Sequence, residues 1–225
     1  MRDIKSYKTL VFDCDGVVLN SNQLKIEAYY ATAKNYGADD VQAQALVDYH
    51  IKLGGISRFV KFDYFLKSIL QTTVTDDAIQ ALLLDFGNEV ERRLLHCEIA
   101  PGLEILRNET SDIPWMMISG GDQNELRKIL AIRKIDHYFD AGIFGSPDNK
   151  DQVLAREGST GNLQMPALFM GDSRYDHESS TRAGLDFIFM SDWTDFPEWE
   201  TYCAEHGISI LKNVGMLRKD CSNNV

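Results

Sequence analysis

Five short apolar runs constrain the fold of this chain most tightly: Thr9-Leu-Val-Phe-Asp13, Trp115-Met-Met-Ile-Ser119, Ala141-Gly-Ile-Phe144, Ala167-Leu-Phe-Met170 and Asp186-Phe-Ile-Phe-Met190. Most are continuously apolar rather than alternating, the pattern of a strand buried on both faces. Helix-like stretches accompany the later ones, at Gly102 to Glu109, Asn124 to Lys134, Asp151 to Glu157 and Arg174 to Ala183. The expected class is therefore α/β, a doubly wound parallel sheet covered by helices on both sides.

The interval between the first two strands, Asn20 to Ile113, is far longer than a crossover requires. Within it, Gln23 to Tyr36, Asp40 to His50, Arg58 to Gln71 and Asp76 to Leu95 carry Leu, Ile, Tyr and Phe at helical spacing, interrupted at Gly37, Gly54-Gly55 and Thr72-Thr73. The chain thus divides into a core, 1–19 plus 98–225, and an inserted α-helical bundle, 20–97, with Pro101-Gly102 marking the return.

Charge and cysteine usage narrow the partners. Thirty-four acidic residues against 23 basic ones leave a formal charge of −11, with no Lys/Arg stripe to neutralise a phosphate backbone, so no nucleic acid partner is expected. An anionic ligand would have to be held by a few placed cations, by backbone N–H groups or by a metal. Cys14, Cys97, Cys203 and Cys221 lack CxxC or Cys/His metal spacing, and His96, His137, His177 and His206 suggest no metal site. Met1 to Thr9 contains no signal-type apolar stretch, and no run is long enough to span a bilayer, so a cytoplasmic protein with no membrane partner is expected. The aromatic-rich segment Asp192 to Glu200 is expected to start the last core helix with its rings against the sheet edge, and the tail from Lys219 to Val225 to fray.

Chemistry gathers where strands end. Asp13-Cys14-Asp15-Gly16 closes the first strand, and period two puts both carboxylates on one side while Cys14 points into the core. Ligands of open parallel sheets collect at such C-terminal ends, where a carboxylate pair can bind a hard cation, although turn-forming carboxylates would look the same. Ser119-Gly120-Gly121 ends the second strand and offers a hydroxyl and N–H groups ahead of a helix; it reads equally as a strand-to-helix turn. Lys150 follows the third strand, and Gly171-Asp172-Ser173-Arg174-Tyr175-Asp176 follows the fourth, adding more like charge than an edge tolerates without a cation.

In order and in strand context, DxDG, Ser-Gly, Lys and GDxxxD resemble the four signature motifs of the haloacid dehalogenase-like superfamily, and the resemblance spans nearly the whole chain. It implies a Rossmann-like core with a helical cap and a Mg²⁺-dependent phosphatase acting on a small-molecule phosphate ester, such as a sugar or polyol phosphate. Asp13 would be the nucleophile and Asp15 the general acid and base. Ser119, Gly120 and Lys150 would hold the phosphoryl group. Mg²⁺ would be bound by Asp13, the Asp15 carbonyl and Asp172, with Asp176 either a ligand through water or a support for Lys150. An acid at position 15 suits protonation of an alkoxide leaving group and disfavours dehalogenation.

Leu53-Gly54-Gly55-Ile56-Ser57-Arg58 is similar to a cap loop of the β-phosphoglucomutase branch, which implies that Arg58 grips substrate. The same residues read as a helix start with Ser57 as N-cap and Arg58 solvated; His50 and Lys52 lie nearby. Ser21 and Asn20, where the chain leaves for the insert, are hinge residues or leaving-group contacts. Two departures favour phosphatase over phosphomutase: Gly171-Asp172 replaces an adjacent acidic pair, and Val60-Lys61-Phe62 does not continue the mutase loop. A non-catalytic binding protein on the same fold is the remaining alternative.

Overall fold

The computed structural model describes residues 2–53 and 56–221, the last four of these by backbone only. Among the described residues, β1 (Thr9–Phe12), β2 (Trp115–Asp122), β3 (Gly142–Ser146), β4 (Ala167–Gly171), β5 (Asp186–Met190) and β6 (Ser209–Leu211) form one sheet in the order β3-β2-β1-β4-β5-β6. Every neighbouring pair is parallel. The winding direction reverses between β1 and β4, which opens a crevice at their C-terminal ends. Asp13 and Asp172 follow those two strands directly.

The apolar runs serve both faces of the sheet. Leu10, Phe12, Trp115, Met117, Leu168 and Met170 pack into one cluster, whereas Val11, Met116, Ile118 and Phe169 pack into the other. β6 was not among the expected strands: it has three residues, and Ile210 at its centre is exposed, so it offers no buried run to detect.

The long insert folds as α1 (Asn22–Asn35), α2 (Asp40–Lys52), α3 (Arg58–Tyr64) and α4 (Asp76–Leu94), with a π-helical turn, Phe65–Ile69, continuing α3. Asp39 starts α2 through a capping box with Gln42, and the Thr75 hydroxyl accepts the Ala78 N–H at the start of α4. Tyr29, Phe62 and Phe86 meet at ring separations of 4.2–5.6 Å and give this bundle its own aromatic centre. The chain crosses between sheet and insert twice, side by side: Asn20 N–H donates to the Glu98 carbonyl and Ala100 N–H to the Val18 carbonyl, both at 2.9 Å. The expected break at Gly54-Gly55 lies outside the described residues.

The sheet is flanked by α5 (Leu103–Glu109), α6 (Gln123–Ile132), α7 (Lys150–Thr160), α8 (Arg174–Arg182) and α9 (Trp199–His206). The aromatic-rich segment starts α9 only at its end, at Trp199, whose ring stacks on Phe189 of β5 at 5.6 Å; the loop before it turns toward the crevice, where Asp195 lines the cavity. Among the described residues no helix is long and apolar enough to cross a membrane. The last four residues of the tail lie outside the described residues.

Candidate active site

Asp13 leaves β1 with its N–H on the Met170 carbonyl at 2.9 Å, which fixes its backbone against β4. Asp15 follows two residues on, and Cys14 between them is fully buried in the core. Gly16 then turns at φ +74°, and a Cβ there would stand 1.9 Å from Asp172 Oδ2 and 2.5 Å from Asn22 Nδ2. The final glycine of the motif is therefore required twice, for its left-handed backbone and for the close approach of Asp172.

Lys150 is the first residue of α7, which Asn149 starts through a capping box with Gln152. Its side chain is fully buried, with Nζ 2.9 Å from Asp13 Oδ1 and in contact with Asp176 Oδ1. The second Asp176 oxygen accepts the Ser173 hydroxyl at 2.7 Å and the N–H groups of Ser173 and Asp172 at 3.1 and 3.3 Å. Both Asp176 oxygens are thus occupied, which favours its support of Lys150 over direct metal ligation.

Asp15 is surrounded by donors: the Ser21 hydroxyl at 2.6 Å, Lys25 Nζ at 2.5 Å and the Ser119 hydroxyl at 3.3 Å. Ser119 Oγ itself accepts the Gly121 N–H at 3.0 Å, and Ser146 donates to the Gly120 carbonyl at 2.9 Å, fixing the turn that Asp122 then caps into α6. Gly120 and Gly121 line the cavity beside Asp13 and Asp15.

Two expected substrate contacts are placed differently. Ser21 is fully buried and its hydroxyl is spent on Asp15 and the Leu19 carbonyl, so it positions the acid rather than facing a ligand. Arg58 lines the cavity, but its guanidinium pairs with Glu125 Oε2 of α6 at 2.6 Å and lies 4.8 Å from the Phe86 ring centre. It is not the solvated first-turn residue of the helix-start reading, although Ser57 does cap α3. Lys52 is exposed, whereas His50 is buried at the cavity wall.

Sequence reasoning passed over Asn22, Lys25 and Lys61. Asn22 Nδ2 donates to Asp172 Oδ2 at 2.7 Å and to the Trp193 carbonyl at 2.8 Å, tying α1 to the sheet edge. Asn22, Lys25, Tyr29 and Thr32 form one buried stripe of α1, and Arg58, Lys61, Phe62 and Phe65 continue a buried stripe from α3. A lysine on the buried stripe of a helix was the available signal.

One oxygen from each of Asp13, Asp172 and Asp176 lies within 4.8 Å of the others, all three residues being buried. Burial, with Asp176 and Asp15 as neighbours, raises the Asp13 carboxyl to about 7 despite Lys150. Burial and the charges of Asp13 and Asp176 push Asp172 well above the carboxylate range. Burial also opposes ionisation of Asp15, but Lys25, the Ser21 hydroxyl and Lys150 outweigh it and hold that carboxyl below its ordinary value. Asp13 and Asp172, with Asp176 holding Lys150 beside them, give oxygen ligands and excess negative charge that fit a hard divalent cation, and among the described residues Asn22 is the one side chain donating to Asp172.

The profile of the haloacid dehalogenase-like hydrolase family matches residues 10–190, and the chain belongs to that family. Solved structures agree on the fold along the whole chain. A haloacid dehalogenase-like family hydrolase from Streptococcus pneumoniae is 18% identical at a TM-score of 0.64, covering 96% of this chain and 100% of its own. A phosphonoacetaldehyde hydrolase-like protein from Oleispira antarctica is 16% identical at 0.73, covering 96% and 92%. A structure described as a predicted phosphoglycolate phosphatase from Haemophilus somnus is 16% identical at 0.69, covering 97% and 100%. Comparison with curated proteins yields no match.

Proposed function

We propose that the chain is a Mg²⁺-dependent phosphatase of a small phosphorylated metabolite, working through an aspartyl-phosphate on Asp13 in a reducing cytoplasm. The observation that carries this is the placement of a buried Asp13 against Lys150, with a second carboxylate two residues on that is held by its own donors. An Asp13 oxygen attacks phosphorus as the bond to the leaving oxygen breaks, and Asp15 gives that oxygen its proton. Asp15, now ionised, takes a proton from water as the water oxygen attacks phosphorus, releasing phosphate and restoring Asp13. Lys150 screens Asp13 from the anionic substrate, while the Ser119 hydroxyl and Gly120 N–H hold equatorial oxygens. Asp13 and Asp172, with the Asp15 carbonyl, would hold Mg²⁺, which supplies charge neutralisation for the phosphoryl group.

Residues 20–97 act as the cap. They enclose the site through Lys25 on Asp15, Asn22 on Asp172 and Arg58 on Glu125, contacts that exclude water from the reacting groups. The test is phosphate release, with and without Mg²⁺, from sugar, polyol, nucleotide and amino-alcohol phosphates. Metal-dependent release that Asp13→Asn abolishes supports the phosphatase. Isomerisation of glucose 1-phosphate, primed by the 1,6-bisphosphate and without net release, would replace it by a mutase.

A further inference from the structure

Two buried side chains of the cavity have no part in the phosphoryl transfer described above. His50 on α2 and Lys61 on α3 are 7% and 2% exposed, and both line the cavity that holds Asp13 and Asp15. Lys61 Nζ lies 2.6 Å from His50 Nδ1, and the Tyr29 ring packs against both.

The three cap cations of this cavity differ in what neutralises them. Lys25 is paired with Asp15 and Arg58 with Glu125, but among the described residues no carboxylate lies within ion-pairing distance of Lys61. Asp195, on the loop that turns toward the crevice, attracts it only from farther away. An ammonium buried without a counter-ion is costly, and a cavity wall that merely needed a long side chain would be better served by methionine.

His50 adds a second unspent group. A lysine donating to Nδ1 puts the imidazole proton on Nε2, and that nitrogen is buried with no hydrogen-bond partner among the described residues. At the cavity wall the pair therefore holds a cation without a carboxylate and a ring N–H without an acceptor.

We propose that Lys61 and His50 form a recognition subsite for a carboxylate on the leaving group, so that the preferred substrate is a phosphorylated hydroxy acid or sugar acid. This rests on the phosphatase reading for the phosphoryl end of the substrate. One cation without a counter-ion matches a monoanion; a second phosphate monoester would bring more charge than the subsite balances, with Lys25 and Arg58 already paired. Lys61 and His50 line the same cavity as Asp13 and Asp15, so the two ends of one small ester can be held together there. Burial first, and then Lys25, lower the Lys61 ammonium to about 7, and a carboxylate beside it would favour the charged form again.

Matched pairs of esters test the subsite: 6-phosphogluconate against glucose 6-phosphate, and 3-phosphoglycerate against glycerol 3-phosphate. The wild type should favour the acid of at least one pair by roughly tenfold or more in kcat/KM. Lys61→Met and His50→Phe should each collapse that ratio toward one, mainly through KM for the acid, in proteins whose thermal unfolding remains cooperative. Equal use of acid and neutral ester by the wild type, a stronger preference for fructose 1,6-bisphosphate, or a ratio unmoved by both variants would overturn the proposal. If no ester releases phosphate, the phosphatase reading has failed separately. Calorimetric binding of 6-phosphogluconate and glucose 6-phosphate to the wild type and Lys61→Met then decides the subsite by the same ratio.

Discussion

Lys25 governs the resting charge of Asp15, and with it the pH at which the acid can work. Its ammonium holds the buried carboxyl below the ordinary range, whereas leaving-group departure in the proposed reaction would require the protonated form. Removing Lys25 leaves burial as the dominant influence, which raises the carboxyl, so the acid form persists to higher pH. Lys25→Met should therefore move the alkaline limb of kcat/KM to higher pH, a change that pH–rate profiles of wild type and variant would measure; an unmoved limb would separate Lys25 from Asp15 titration. Gly16 is a second residue whose role is set by fractions of an ångström. Gly16→Ala adds a Cβ onto Asp172 at a left-handed φ. It should cost more than about 1 kcal/mol from the backbone alone and should also weaken the Mg²⁺-dependent rise in melting temperature.

The elements were legible in proportion to how much apolar side chain they bury. β1 and β4 are buried throughout and β2, β3 and β5 in part, and the four helices of the insert carry Leu, Phe and Tyr at helical spacing, so pattern alone found them. β6 has almost nothing to bury, and the loop before α9 has aromatic residues without helical order. Asp13, Asp15, Lys150, Asp172 and Asp176 could be singled out in the sequence because they stand at or shortly after the ends of β1, β3 and β4, and the structure brings them together. Lys25, Lys61 and Asn22 could not be, since a polar residue within an otherwise ordinary helix is normally solvated, and only the packing of α1 and α3 within the insert and over the cavity buries these. The link between α3 and α6 is equally a product of packing. Arg58 and Glu125 are 7% and 13% exposed in their side chains. Glu125→Ala strands a buried guanidinium and should cost about 3 kcal/mol, with a raised KM. The double variant Arg58→Met/Glu125→Ala should recover much of the stability in denaturant unfolding but not the KM, because the cap is then unlatched from α6.

At the scale of the whole molecule, metal and proton compete for the same carboxylates. Asp13, raised to about 7, and Asp172, also raised, are favoured in the protonated form in acid when no cation is bound. Both would have to ionise to accept the proposed Mg²⁺, so binding would release protons wherever either is still protonated, and more of them the lower the pH. The Mg²⁺-dependent increment in melting temperature should accordingly be larger at pH 8 than at pH 5.5, and Asp172→Asn should shrink it at both; an increment independent of pH would place the ion elsewhere. Taking the difference with and without metal cancels Lys61, lowered to about 7, and the other groups whose titration the ion does not touch. The paired crossings at Val18 to Asn20 and Glu98 to Ala100 carry a consequence of another kind. Outgoing and returning chains sit one backbone hydrogen bond apart, so the catalytic sheet closes whatever is threaded between them. The insert is in that sense a cassette: a lineage could exchange it by splicing at two neighbouring crossings while Asp13, Asp15, Lys150 and Asp172 stay where they are.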